Sequence, residues 1–168
     1  LSKGEGFKRS VSVEQFNYNA DGSIPLITPT KEGVKKSVSS INPYTRVQAE
    51  TIAWSEGLKT SGNSQSGVYV SQINNSDYLI VRSVDFGKGA KTFEACVASA
   101  SEGGQIEIRL DNSNGELLGT IDVKNTGGEK NWATVKGKVK KITGVHDICL
   151  VFKGGEGELF NFDWWVLK

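Results

Sequence analysis

What this chain has little of narrows it first. There is one histidine, His146, and there are two cysteines, Cys96 and Cys149. Zinc sites of the usual kinds take three or four Cys and His ligands, and this scarcity nearly excludes them. It also leaves no Cys–His or Ser–His–Asp arrangement with a histidine to spare. The net charge is only +1, from 20 Lys and Arg against 19 Asp and Glu. That balance argues against a nucleic-acid binder relying on bulk charge. No apolar run approaches the roughly 18 residues of a membrane span. Methionine is absent, even at position 1. The expectation is a processed or excised piece, with any signal peptide lying outside it.

Proline is scarce at three, but glycine is plentiful at 20 in 168 residues. Frequent glycine between short apolar stretches suits an all-β protein with many tight turns. From about Asn42 strand follows strand: 46–50, 67–73, 77–86, 92–99, 105–111, 117–123, 132–139, 145–152 and 159–167. Their spacing and the lack of any sustained 3.6-residue period predict a sandwich or jelly roll. The first forty residues read differently. Ser10–Phe16 alternates like a strand, Asn19-Ala20-Asp21-Gly22-Ser23 signals a turn, and Ile24–Ile27 is a candidate return strand before a polar linker. A lone hairpin is marginal in water, so residues 1–41 are expected to be the tail and linker of a preceding domain, and 42–168 the main body.

Alternation assigns faces. Ile106, Ile108 and Leu110 point inward, as do Phe93, Ala95 and Val97, and Ile148, Leu150 and Phe152. Cys96 and Cys149 fall on outward positions, able to pair only if their strands are neighbours. Trp132 falls with Thr134, Lys136 and Lys138 on a polar face, just after the turn Gly127–Asn131. It either covers a neighbouring loop or is a flat platform for the C–H face of a sugar. The C-terminal strand puts Phe160, Phe162, Trp164 and Val166 on one face and Asn161, Asp163 and Trp165 on the other. Asn161 suits sugar hydroxyls, having donors and an acceptor. Asp163, framed by aromatics, needs a partner or a metal if buried. Gln48 and Glu50 share a face of the first strand, and with Asp163 and backbone carbonyls offer the oxygen ligands of a Ca²⁺ shell.

Taken together these segments resemble carbohydrate-binding module family 6. The stretches that carry the likeness are Val47-Gln48-Ala49-Glu50-Thr51, Val70 to Leu79, Val84-Asp85-Phe86-Gly87, Ile106 to Asp111, Leu118-Gly119-Thr120, Gly144-Val145-His146 and Phe160 to Trp165. The tail, Phe7 to Val13 with Tyr18 to Ser23, resembles the end of a family 43 glycoside hydrolase catalytic domain. The resemblance implies a β-jelly-roll sandwich of the galactose-binding-domain-like kind. It implies a structural Ca²⁺ held by Gln48, Glu50 and Asp163. It implies a sugar cleft using Trp132 and Asn161, with Tyr69 or Gln72 opposite Trp132 and Glu56 approaching from the loop after the first strand. A second sugar site on the sandwich face is also known in the family; the sequence does not locate it. The implied function is non-catalytic: a secreted, extracellular, monomeric module that binds xylan or xylo-oligosaccharides and targets a linked catalytic domain to plant cell-wall polysaccharide, with no nucleic-acid or membrane partner. The rival is a β-sandwich that docks onto the catalytic domain and binds glycan weakly or not at all.

Overall fold

Short apolar alternations separated by glycine turns become eleven strands in the structure, a computed structural model that describes residues 13–31, 33–34, 39–64 and 67–168. The chain divides into two units, 1–39 and 40–168. In the larger unit the strands are β1 (Val47–Gln48), β2 (Trp54–Glu56), β3 (Lys59–Asn63), β4 (Gly67–Ser71), β5 (Tyr78–Asp85) and β6 (Thr92–Ala98), followed by β7 (Gly104–Leu110), β8 (Leu117–Val123), β9 (Ala133–Lys138), β10 (Val145–Lys153) and β11 (Asn161–Leu167). One sheet runs β3-β4-β11-β6-β9, with β1 also paired to β11, and the other runs β2-β5-β10-β7-β8. Every strand pair is antiparallel.

The inner faces meet in one core. Ile106, Ile108, Ile148, Leu150 and Phe152 come from one sheet, and Val70, Phe93, Val97, Phe162 and Trp165 from the other. Phe93 stacks on Trp165 at 5.6 Å and 9° between planes, and Phe152 meets Phe160 and Phe162 edge to face. Each such side chain contributes about 1.5–3 kcal/mol on full burial.

The last strand departs from simple alternation. Phe160 and Phe162 are in the core as expected, but Trp165 and Leu167 join them, while Trp164 is half-buried and Val166 lies outside the core cluster. The cause is a register shift between Phe162 and Trp164 in the pairing with β6. One extra residue, Asp163, is accommodated there, and every later side chain changes face. β2 and β3 were not foreseen. β2 is three residues long, and Lys59-Thr60-Ser61-Gly62-Asn63 carries no apolar alternation. Each is held as an edge strand by backbone pairing, to β5 and β4 respectively.

Cys96 and Cys149 are free and buried, on strands of different sheets, so they are not a disulfide pair. Burial pushes both thiols up to about 11. The reactive thiolate is therefore scarce near neutrality. At pH 8 the native protein should leave both thiols unlabelled by a disulfide reagent over minutes, and denaturant should release two equivalents; rapid native labelling would contradict the burial.

In the smaller unit the expected turn is present: the Asn19 N–H donates to the Ser23 carbonyl at 2.9 Å, and hydrogen bonds from Ser23 hold the Asp21 carboxyl below its usual range. The flanking hairpin strands are absent among the described residues, and Ser10 to Ser12 lie outside them. Instead the Glu14 carboxylate accepts the backbone N–H and hydroxyl of Thr30. That contact uses a side chain where a hairpin would use a ladder. Tyr18, Ile24 and Leu26 are exposed, Leu26 almost completely at 96%.

Candidate functional site

Five strands of the six-stranded sheet share one end. β4 and β6 finish there, at Ser71 and Ala98, while β3, β9 and β11 begin there, at Lys59, Ala133 and Asn161. The loops 72–77, 99–103, 124–132 and 154–160 therefore belong to the same rim.

Trp132 stands one residue before β9, whose first residue Ala133 pairs with Val97. That places Trp132 beside Ala98, on the outward face, since Val97 is in the core. Tyr69, on β4, is outward for the same reason, its neighbour Val70 being fully buried. β4 and β9 are three strand spacings apart, about 14 Å. The two rings nevertheless meet, with centroids 5.2 Å apart and planes at 71°. Both side chains therefore lean toward each other across the sheet. The ring that meets Trp132 is thus Tyr69's. Gln72 lies just past β4 with its backbone in the left-handed region (φ 52°), exposed, its carbonyl accepting the Asn74 side-chain amide.

Rings at this angle form a corner, not a slot. To clasp a flat ligand on both faces, two parallel rings must stand about 7–8 Å apart, twice a contact distance. The corner instead offers one face for stacking and a second ring to bound it.

The loop carrying Trp132 is latched in place. Asn125 donates to the carbonyls of Ala100 and Ser101, Thr126 bonds the Ser99 backbone, and Gly127, at φ 90°, turns its N–H onto the Asn125 side-chain oxygen Oδ1. Asn161 joins the same loop, its Nδ2 donating to the Glu129 carbonyl at 2.9 Å. One N–H and the side-chain oxygen of Asn161 remain for a ligand. Beside it lies a hollow of about 230 Å³, with Glu129 and Glu158 among its lining residues.

Glu56 ends β2 in the other sheet, opposite Tyr78 at the start of β5, and the chain passes from it through Gly57 and Leu58 to Lys59 beside Ser71, so it stands at the same end of the sandwich. Its carboxylate is the main cause pushing the Tyr78 phenol upward. The same outer face carries Trp54, 61% exposed and paired with Ile80. The sequence reading passed over Trp54. Its signal was an indole within a polar stretch, without alternation to assign it a face.

A second cluster surrounds the bulge. β4 pairs with the start of β11 and β1 with its later part, so Asp163 lies at their junction. The Ala49 N–H donates to the Asp163 carbonyl at 2.8 Å. Burial first, then the charge of Glu50, pushes the Asp163 carboxyl up, against a smaller opposing effect of Arg46. The Arg46 guanidinium itself lies 4.2 Å over the Trp164 ring. Glu50 Oε2 is buried without a hydrogen-bond partner. Gln48 is exposed, opposite Trp164. No group of three His, Cys, Asp or Glu side chains is present among the described residues. Two carboxylates with one orphaned oxygen fit a hard cation that also accepts amide and carbonyl oxygens.

The family described as carbohydrate binding module (family 6) matches residues 48–168. An arabinoxylan arabinofuranohydrolase of Bacillus subtilis (strain 168) is 43% identical over 169 residues, covering 96% of this chain and 32% of the relative. The chain thus spans about a third of the length of that relative. A family 6 module from Clostridium cellulolyticum, solved in complex with xylose, has a TM-score of 0.74 at 43% identity, covering 76% of this chain and 99% of that one. A β-1,3-glucan-binding module of the same family from Bacillus halodurans has a TM-score of 0.74 at 40% identity, covering 77% and 99%.

Proposed function

This chain belongs to carbohydrate-binding module family 6, a non-catalytic sugar-binding family whose members are found in glycoside hydrolases, and from that premise we propose that residues 42–168 bind xylan at the Tyr69–Trp132 corner. The corner is the observation that carries the reading. A pyranose ring lies against Trp132, Tyr69 bounds it, and Asn161 exchanges hydrogen bonds with its hydroxyls. Xylose has no C6 hydroxymethyl group, so it suits a site whose second ring closes one side. Gln72 has no part in this grip as we read it, and Glu56 approaches it from the end of β2.

Hydrogen bonds to solvated hydroxyls nearly cancel against water, so a single module binds weakly. Its value lies in tethering, which raises the effective concentration of a linked enzyme at the polymer. We read residues 1–41 as the tail and linker of such an enzyme, a secreted glycoside hydrolase acting on xylan or arabinoxylan. The exposed Tyr18, Ile24 and Leu26 support this by offering apolar surface to a preceding domain. We further read Gln48, Glu50 and Asp163 as the holders of a structural Ca²⁺, and the module as a monomer.

Isothermal titration calorimetry with xylohexaose, cellohexaose and laminarihexaose, in Ca²⁺, tests the reading. Binding of xylohexaose above the other two is expected. Preference for either glucan hexamer would move the specificity away from xylan, and no binding by any would favour the docking role. A stoichiometry of two that Trp54→Ala returns to one would place a second sugar site on the face carrying Trp54 and Tyr78.

A further inference from the structure

We propose that a hollow on the far flank of Trp132 takes a single sugar substituent branching from the chain held at the corner, so that the module prefers decorated over bare polymer. The proposal rests on the corner reading above.

β9 is the edge of its sheet, with β4 and Tyr69 lying inward from it. On its other side β9 packs along β8, the edge of the opposite sheet. Trp132 therefore has Tyr69 on one side and the end of β8 on the other. There a hollow of about 380 Å³ opens, with Trp132, Ala133 and Val135 as its apolar wall and Asp122, Lys124 and Asn131 among its polar groups. That volume is at the small end of the roughly 300–1,000 Å³ of small-molecule sites. It suits one sugar ring better than a run of chain.

The polar groups divide into used and available. Asn125 and Thr126 also line the hollow, but both are committed to latching the loop. Asp122 and Lys124 point outward because Ile121 and Val123 between and beside them are in the core. Asp122 Oδ1 accepts the Gln105 amide at 2.9 Å, leaving its second oxygen. Lys124 has no ion-pair partner among the described residues, and the Asn131 side-chain amide has no hydrogen bond among them. An apolar wall with a few convergent donors and acceptors is the chemistry of a hydroxyl-bearing ring. A linear chain stacked at the corner does not enter the hollow. A substituent projecting past the indole edge does.

The test is calorimetry on the full chain with xylohexaose and with a xylo-oligosaccharide of the same length bearing one arabinofuranosyl group. The decorated ligand is expected to bind about tenfold more tightly, the worth of one or two hydrogen bonds. Lys124→Ala should remove most of that gain and leave xylohexaose affinity unchanged, while Lys124→Arg keeps part of it. Equal or weaker binding of the decorated ligand by the wild type would overturn the proposal. So would a Lys124→Ala variant that weakens both ligands alike. If neither ligand binds the wild type, the corner reading fails and this inference falls with it.

Discussion

Trp132→Ala should lose retention on a xylan affinity gel and bind xylohexaose about 100-fold more weakly, close to 2.7 kcal/mol. That is the scale of a central aromatic anchor in a recognition site. The fold should survive. Trp132 is half-buried, precedes β9 instead of pairing within it, and is absent from the core cluster. Its contact with Tyr69 is worth about 0.5–1.5 kcal/mol, or a few degrees of melting temperature for a domain of this size. Trp165 is the contrast. It is fully buried and stacked on Phe93, so Trp165→Ala should cost about 3–5 kcal/mol of stability. Binding loss and stability loss thus separate onto two different tryptophans. Unchanged retention of Trp132→Ala on the gel would end the corner assignment. A collapse of its melting temperature would make the loss of binding uninformative about stacking, and Tyr69→Ala would then carry the test, with a smaller expected loss because Tyr69 bounds the ligand without supporting its face.

The strands with one wet face could be read from the sequence because alternation is a local property. Phe93, Ala95 and Val97, and Ile148, Leu150 and Phe152, all reach the core. The same rule failed after Asp163, because a bulge is decided by pairing with β6 and leaves no mark in the alternation itself. It failed again at β3, where pairing to β4 supplies the order that side chains do not. The site shows the same division. Trp132 stood out locally, as an indole among lysines and threonine. Its meeting with Tyr69, 63 positions away, depends on strand order across four strands. Glu56 was expected near the cleft from its chain position, and the β2–β5 pairing puts it on the other sheet, at the end where loop 72–77 enters β5.

Chelating Ca²⁺ should lower the melting temperature of the module by about 10 °C, and Asp163→Asn should abolish that response. The argument begins with two carboxylates that repel. Glu50 and Asp163 lie close enough for the charge of one to raise the pKa of the other, and burial raises it further. Arg46 relieves this only in part, being the lesser influence and stacked over Trp164. Glu50 Oε2, buried and unpartnered, carries a desolvation cost of about 1–3 kcal/mol or more for a charged group. A bound divalent cation would convert both penalties into attraction. At a free Ca²⁺ concentration 100 times its dissociation constant, binding adds about 2.7 kcal/mol, which for a domain of this size corresponds to the ~10 °C stated. Asp163→Asn removes one ligand charge and the repulsion together. In chelator the variant should therefore be at least as stable as the wild type, although it is the less stable of the two in Ca²⁺. Thermal melts of both proteins, with Ca²⁺ and with chelator, read all four states. A wild type indifferent to chelator would remove the metal from this junction. A variant that keeps the full Ca²⁺ response would show that the ion sits elsewhere. The crossing of the two stability orders is the outcome that a purely structural aspartate, hydrogen-bonded in place, would not produce.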